Sequence, residues 1–237
     1  MATTLQLEAI DQIDYLRKDC QKLISEMFLL CAADANGHFP PAFRLVATPF
    51  LYAVWERCFR TSFGVMAMVI RSNSANPSKM SYEQAALWLQ KEPFLTSFTD
   101  KIRQRTPDLD SALSRKAVTS SAYKNLVEFL GKLISWHGQS LQNVPADTDL
   151  VMTFSNVNLA VLEVNAEATG LSKLVEFEAF RRRAGRLDDL VGRRNDIGHG
   201  TLATPPGPRE FNDLAELVNK VLIQEFCELS QTWIFYQ

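Results

Sequence analysis

Residues 173–200 read KLVEFEAFRRRAGRLDDLVGRRNDIGHG, and this stretch decides both fold class and function. It reads as one long amphipathic helix, stopped by Gly198 and Gly200. Its closing segment, RRNDIGHG, holds His199, the one histidine in the last third of the chain. Arginine, asparagine and histidine so close together at a helix end are either an ordinary terminus or an active site. At an ordinary terminus, the histidine would satisfy the last carbonyls and the helix dipole, and Arg194 would be a solvated charge.

The rest of the chain supplies more helices. Leu5, Leu7, Ile10, Ile13, Leu16, Leu23, Ile24, Met27 and Leu30 recur at helical spacing, which predicts one amphipathic helix over about the first thirty residues. DANGHFPPAF breaks it. FLYAVWERCFRTSFGVMAMVIR then predicts a second helix from Phe50 to about Arg71, apolar nearly all round as befits the middle of a bundle. Its charges Glu56 and Arg57 read as a buried pair bracing the bundle. Shorter helices follow: one opened by the Ser81-x-x-Gln84 capping pattern, one starting at Pro93, and one over Ser121 to Trp136. Ser155 is the expected cap of the helix that Gly170 closes, and TPPGP is a rigid connector to the last helix. No strand alternation or repeat appears. The expected fold class is all-α, a single domain whose core helices lie at about 1–75 and 150–237, with an insertion of shorter helices at about 76–150.

Composition limits the function. An apolar fraction of 46% with 22% charged residues is ordinary for a globular protein. A net charge of −2 gives the whole molecule no reason to adhere to nucleic acid, so any such affinity must be local. FGVMAMVI is too short to span a bilayer, and the acids of the first helix fit neither a signal nor a transit peptide. The four cysteines form no C-x-x-C pair and read as reduced core thiols, which with the foregoing gives a cytoplasmic expectation. No metal-ligand cluster is visible, and no cofactor is expected.

The bare spacing Arg-x4-His means little by itself, but its setting is more specific. Asn195 follows Arg194 at once, glycines flank His199, and the group ends a long helix. Here the sequence resembles the HEPN superfamily (higher eukaryotes and prokaryotes nucleotide-binding domains), whose ribonuclease members often carry RN-x-x-x-HG. FSNVNLAVLEVNAEATGL followed by LDDLVGRRNDIGHG is similar to the C-terminal half of bacterial HEPN proteins of toxin and defence loci. YAVWER resembles their central helix. The middle, about 76–150, resembles nothing identifiable.

The resemblance implies a metal-independent endoribonuclease acting as toxin or phage-defence effector, with Arg194, Asn195 and His199 as catalytic residues. It also implies a homodimer that sets two motifs in one cleft, and a regulatory partner encoded nearby. A non-catalytic HEPN dimer that binds protein or nucleotide is the alternative. In members silenced by adenylylation, a tyrosine stands two residues after the histidine; here it is Thr201, which removes that control from the expectation.

The residue chemistry agrees independently. Histidine, with an unperturbed pKa near 6.5, can take the proton of an RNA 2′-hydroxyl, and a guanidinium can hold the phosphorane that follows. At about 3.6 residues per turn, Asn195 and His199 stand about 40° apart and can touch, whereas Arg194 and His199 diverge by about 140°. One site therefore needs an unwound helix end, which the glycines would permit, or a second copy of the motif. From Arg181 to Arg194 six arginines face two aspartates. Arg182, Arg186 and Arg193 read equally as an RNA phosphate track or as a solvated face paired with Asp188 and Asp189.

Overall fold

The computed structural model describes residues 3–74, 76–105, 120–139, 150–200 and 204–237. The chain divides into two compact units, one formed by Met1–Val69 with Ala146–Gln237 and the other by Ile70–Pro145. All regular structure among the described residues is helical, and none of these helices is long and apolar enough to cross a membrane.

In the first unit, α1 (Thr4–Leu29) opens with a capping box in which Thr3 and Gln6 satisfy each other's backbone N–H groups. Ala9, Ile13, Leu16, Cys20, Ile24 and Met27 form its buried stripe. α2 (Pro41–Asn73) is longer than its sequence suggests. It begins at Pro41, not at Phe50, and runs through Pro49 without ending. Pro49 gives up one N–H, but the turns before it are anchored by buried Arg44, Ala47 and Thr48. The Arg44 guanidinium donates to the Pro206 carbonyl at 2.6 Å, tying the start of α2 to the proline-rich connector.

The remaining elements of this unit are α6 (Leu159–Thr169), α7 (Val175–Arg183), α8 (Leu187–Gly198), α9 (Pro208–Glu216) and α10 (Phe226–Phe235). Leu217–Glu225 joins α9 to α10 as a π-helical stretch. α6 is capped by Asn158, not Ser155: the Asn158 side chain accepts from the Val161 N–H. Gly170 closes it in the left-handed conformation, φ 84°. The long helix expected at 173–200 is broken. Ala184–Arg186 forms a 3₁₀ turn, and Arg186 leaves helical geometry at φ −88°, ψ 8°.

α2 lies at the centre of the core. Trp55, Phe59 and Phe63 pack with Phe226 of α10, with ring centroids 4.9–6.5 Å apart. Phe28, Phe39, Phe43 and Phe211 make a second aromatic group near the end of α1. Cys20, Cys58 and Cys227, far apart in sequence, converge from α1, α2 and α10, with the Cys58 and Cys227 sulfurs 3.6 Å apart. Hydrogen bonding with Cys20 and Cys227, together with burial, pushes the Cys58 thiol well up. It therefore stays a protonated core group. Arg57 is half exposed and pairs with Asp19 of α1 at 2.6 Å, so it is not the buried partner of Glu56. Consecutive helical residues point about 100° apart, which sends the two side chains to different neighbours.

The second unit contains the end of α2, then α3 (Tyr82–Leu89), α4 (Pro93–Arg105) and α5 (Ser120–His137). The Ser81/Gln84 capping box forms as its sequence predicts. Phe98 stacks on Phe129 at 4.2 Å, and the Trp136 indole N–H donates to Glu92 at 3.0 Å.

One polar residue inside the first unit holds a loop. Asn165 is buried in the middle of α6. Its amide donates to the Met152 carbonyl at 2.7 Å and to the Val161 carbonyl at 2.8 Å, while its oxygen accepts from the Met152 N–H at 3.0 Å. Asn165→Ala leaves both peptide groups of Met152 unpaired and should cost about 2–4 kcal/mol. Denaturant unfolding should show a lower midpoint at unchanged slope. A change below about 0.5 kcal/mol would contradict this account of the loop.

Candidate active site at the end of α8

α8 buries Leu187, Leu190 and Val191 and presents its last turns at the surface. Leu187, Leu190 and Val191 therefore belong to the core, while Ile197 is only half-buried. Arg194 is half-buried one turn before the helix end. Its guanidinium carbon lies 5.0 Å from the centre of the Tyr52 ring on α2. Its Nη1 donates to the Asn195 side-chain oxygen at 2.8 Å and to the Asn156 side-chain oxygen at 3.3 Å. The arginine is thus fixed from three sides: an aromatic face, its own neighbour, and a loop residue thirty-eight positions away.

The loop owes its place to α2. The Val157 N–H donates to the Tyr52 hydroxyl oxygen at 2.9 Å, and the Trp55 indole N–H donates to the Val157 carbonyl at 3.2 Å. Tyr52 and Trp55 stand three apart on the helix and so face the same way. Asp188 closes the arrangement from α8 by accepting the Leu159 N–H at 3.0 Å. Burial pushes the Tyr52 phenol up; the Val157 N–H and the Arg194 charge pull it down, and Glu56 adds to the rise. The phenol is neutral at physiological pH and its π-face meets a fixed cation. Sequence reading placed Tyr52 and Asn156 only within resembling stretches and gave neither a role. Their signal lies in tertiary pairing.

His199 lies just beyond the helix. Its backbone N–H still donates to the Asn195 carbonyl at 2.9 Å, and its φ of −89° is right-handed. Its side chain is exposed and has no hydrogen bond among the described residues. Gly200, at φ 66°, is the residue that terminates the helix. Gly198 remains helical, so the end is not unwound before the histidine. Arg194 and His199 consequently diverge within one chain. The Asn195 side chain turns its oxygen to Arg194 and makes no bond to the His199 imidazole, although their spacing allows one. Thr201 lies outside the described residues.

The arginine row also reads differently in three dimensions. Arg186 pairs with Asp189 at 3.2 Å and with Asp213 of α9 at 3.5 Å. Arg193 pairs with Glu210 of α9 at 2.6 Å, Arg183 with Glu225 at 2.7 Å, and Arg181 with Glu163. Of the three proposed track residues, Arg182 alone is exposed without an ion pair among the described residues. The 3₁₀ turn between α7 and α8 also breaks the single helical face on which the stripe was drawn. Counting arginines against Asp188 and Asp189 missed the carboxylates that fold in from other helices. The other histidines are peripheral: the His38 N–H donates to Asp34 in a turn, and exposed His137 ends α5. Among the described residues, no group of His, Cys, Asp and Glu side chains has the arrangement of a metal site.

Comparison with known proteins adds one finding to this geometry. No curated protein and no solved structure matches the chain. A family model described as RiboL-PSP-HEPN matches residues 14–231, from α1 into α10, and its span includes the second unit and the whole Arg194–His199 motif. With all-helical architecture and nearly the full length of the chain within that match, the protein belongs to the RiboL-PSP-HEPN family, within the HEPN superfamily.

Proposed function

We propose that the protein is a metal-independent endoribonuclease, serving as a toxin or phage-defence effector in the cytoplasm. One observation carries the reading: Arg194 is held as a rigid, permanently charged fork between Tyr52, Asn156 and Asn195, five residues before an exposed imidazole. A guanidinium so fixed loses little freedom on meeting a phosphate, and membership of a HEPN family supplies the substrate class.

In this mechanism His199 takes the proton of a ribose 2′-hydroxyl. The 2′-oxygen forms a bond to the adjacent phosphorus as the bond from phosphorus to the 5′-oxygen breaks. A protonated imidazole returns a proton to that leaving oxygen. Arg194 balances the charge on the pentacoordinate phosphorus, and Asn195 keeps it aimed. The products are a 2′,3′-cyclic phosphate and a 5′-hydroxyl. Because Arg194 and His199 diverge on a wound helix, the active unit proposed is a homodimer in which one chain's arginine meets its partner's histidine across a twofold axis. Arg182 is the leading backbone contact of the RNA track; Arg186 and Arg193 join it if phosphates displace Asp189, Asp213 and Glu210. A regulatory partner encoded nearby completes the proposal.

The alternative is a HEPN dimer that binds protein or nucleotide and cleaves nothing. It is favoured by the engagement of Arg194 with two side-chain oxygens of its own chain.

Purified protein should cut RNA in EDTA and leave 2′,3′-cyclic phosphate ends. Activity that disappears on chelation and returns with magnesium would contradict the mechanism. Arg194→Ala and His199→Ala should each lower the cleavage rate by about 10²- to 10⁴-fold. His199→Ala should keep the wild-type unfolding transition, and both variants should keep wild-type sedimentation. Mixing the two inactive variants should restore part of the activity; no recovery in demonstrated heterodimers would refute the shared site. Undiminished cleavage by His199→Ala would refute the reading itself. For binding, Arg182→Ala should flatten the salt dependence of RNA affinity by about one unit of slope. Equal flattening by Arg186→Ala would show that its ion pairs yield to phosphate.

A further inference from the structure

One residue near the site carries a side chain that the fold alone does not require. Phe154 is, among the described residues, the one non-glycine with a left-handed backbone, at φ 46°. That conformation is unfavourable for any residue with a Cβ and more so for a bulky one. Burial does not offset it, because the residue is 72% exposed. A strained and solvent-facing aromatic is an arrangement that folding selects against twice over.

The strain is imposed from both flanks. Asn165 grips Met152 by its N–H and its carbonyl, and Tyr52 and Trp55 grip Val157 in the same manner. Phe154 and Ser155 bridge these two anchors on the solvent side. Two residues on, Asn156 accepts from Arg194. Two virtual bonds of ~3.8 Å bring the Phe154 Cα within about 7.6 Å of the Asn156 Cα, so the ring is rooted two residues from the side chain that touches the arginine.

We propose that Phe154 is the stacking platform for a nucleobase beside the phosphate held by Arg194, and that the substrate is therefore single-stranded RNA. The inference rests on the ribonuclease reading for the identity of its ligand. Its physical basis is separate. Every base has a π-face, so an exposed ring gives affinity without sequence preference. Bases in a duplex are already stacked on one another and cannot be splayed onto it. A ring fixed by its backbone also loses little freedom on stacking. The guanidinium and the phenyl face then recognise phosphate and base as adjoining features of one unpaired strand.

The test uses the full chain carrying His199→Ala, so that RNA stays intact, with a short single-stranded RNA and the blunt duplex of the same sequence as probes. Phe154→Ala and Phe154→Gly should bind the single strand about five- to a hundred-fold more weakly. Phe154→Tyr should bind like the parent. The glycine variant removes the backbone strain, so its unfolding midpoint should be unchanged or higher, which separates lost stacking from lost folding. Phe154→Trp should show indole quenching with the single strand and none with the duplex, measured against the parent's own tryptophans. Equal single-strand affinity in the alanine and glycine variants, or equal quenching by the duplex, overturns the proposal and leaves the ribonuclease reading standing. Loss of dimers in the glycine variant at unchanged stability also overturns it, by assigning the ring to a chain–chain contact. Stacking without cleavage by the unmutated chain sustains it while the ribonuclease reading fails. Absence of any RNA binding overturns both.

Discussion

The backbone of Val157 is held on both sides by one face of α2, and the organisation around Arg194 depends on that grip. Its N–H goes to Tyr52 and its carbonyl to Trp55. A loop without regular structure cannot bury its own backbone polar groups, so partners of this kind decide where it lies. With Val157 fixed, Asn156 is delivered to Arg194 and Asn158 to the start of α6. Tyr52 has a second duty, since its ring is also the floor under the guanidinium. The same residue therefore sets both the loop and the charge.

This coupling explains why an apolar central helix carries a few polar groups. Trp55 is wholly buried between Phe59 and Phe226. Its indole N–H needs a partner at that depth, and the Val157 carbonyl is that partner. The core thereby determines the geometry of the surface site. A change in packing around Trp55 is transmitted to Asn156 through one hydrogen bond and the backbone of Val157.

The sequence made some of this legible. The helix over the first thirty residues, the capping box at Ser81, the start at Pro93 and the glycine stop of α6 follow local rules; of the apolar row read in α1, Ile13, Leu16, Ile24 and Met27 are buried, whereas Leu7 and Leu30 are exposed. Family membership is shown by the match over residues 14–231 and agrees with the resemblance read at Arg194–His199. What was not legible is tertiary. Arg44, buried at 7% exposure, holds α2 helical upstream of Pro49 where local rules end it. Glu210 and Asp213 reach back from α9 to neutralise arginines that a one-dimensional count left free. Tyr52 and Asn156 lie more than a hundred residues apart, and no spacing rule links them. The break at Ala184–Arg186 is an in-between case: Gly185 hinted at it, but the arginines on either side are good helix formers.

The proposed reaction makes one chemical claim: a fixed guanidinium and an exposed imidazole would turn RNA's own 2′-hydroxyl against its backbone. The most direct measurement compares cleavage of a single-stranded RNA with that of the same strand bearing one 2′-deoxynucleotide at the mapped scissile position. The account predicts that cutting at that phosphate disappears while neighbouring cuts persist. Cleavage that continues at the deoxynucleotide would show that the nucleophile comes from elsewhere and would contradict it.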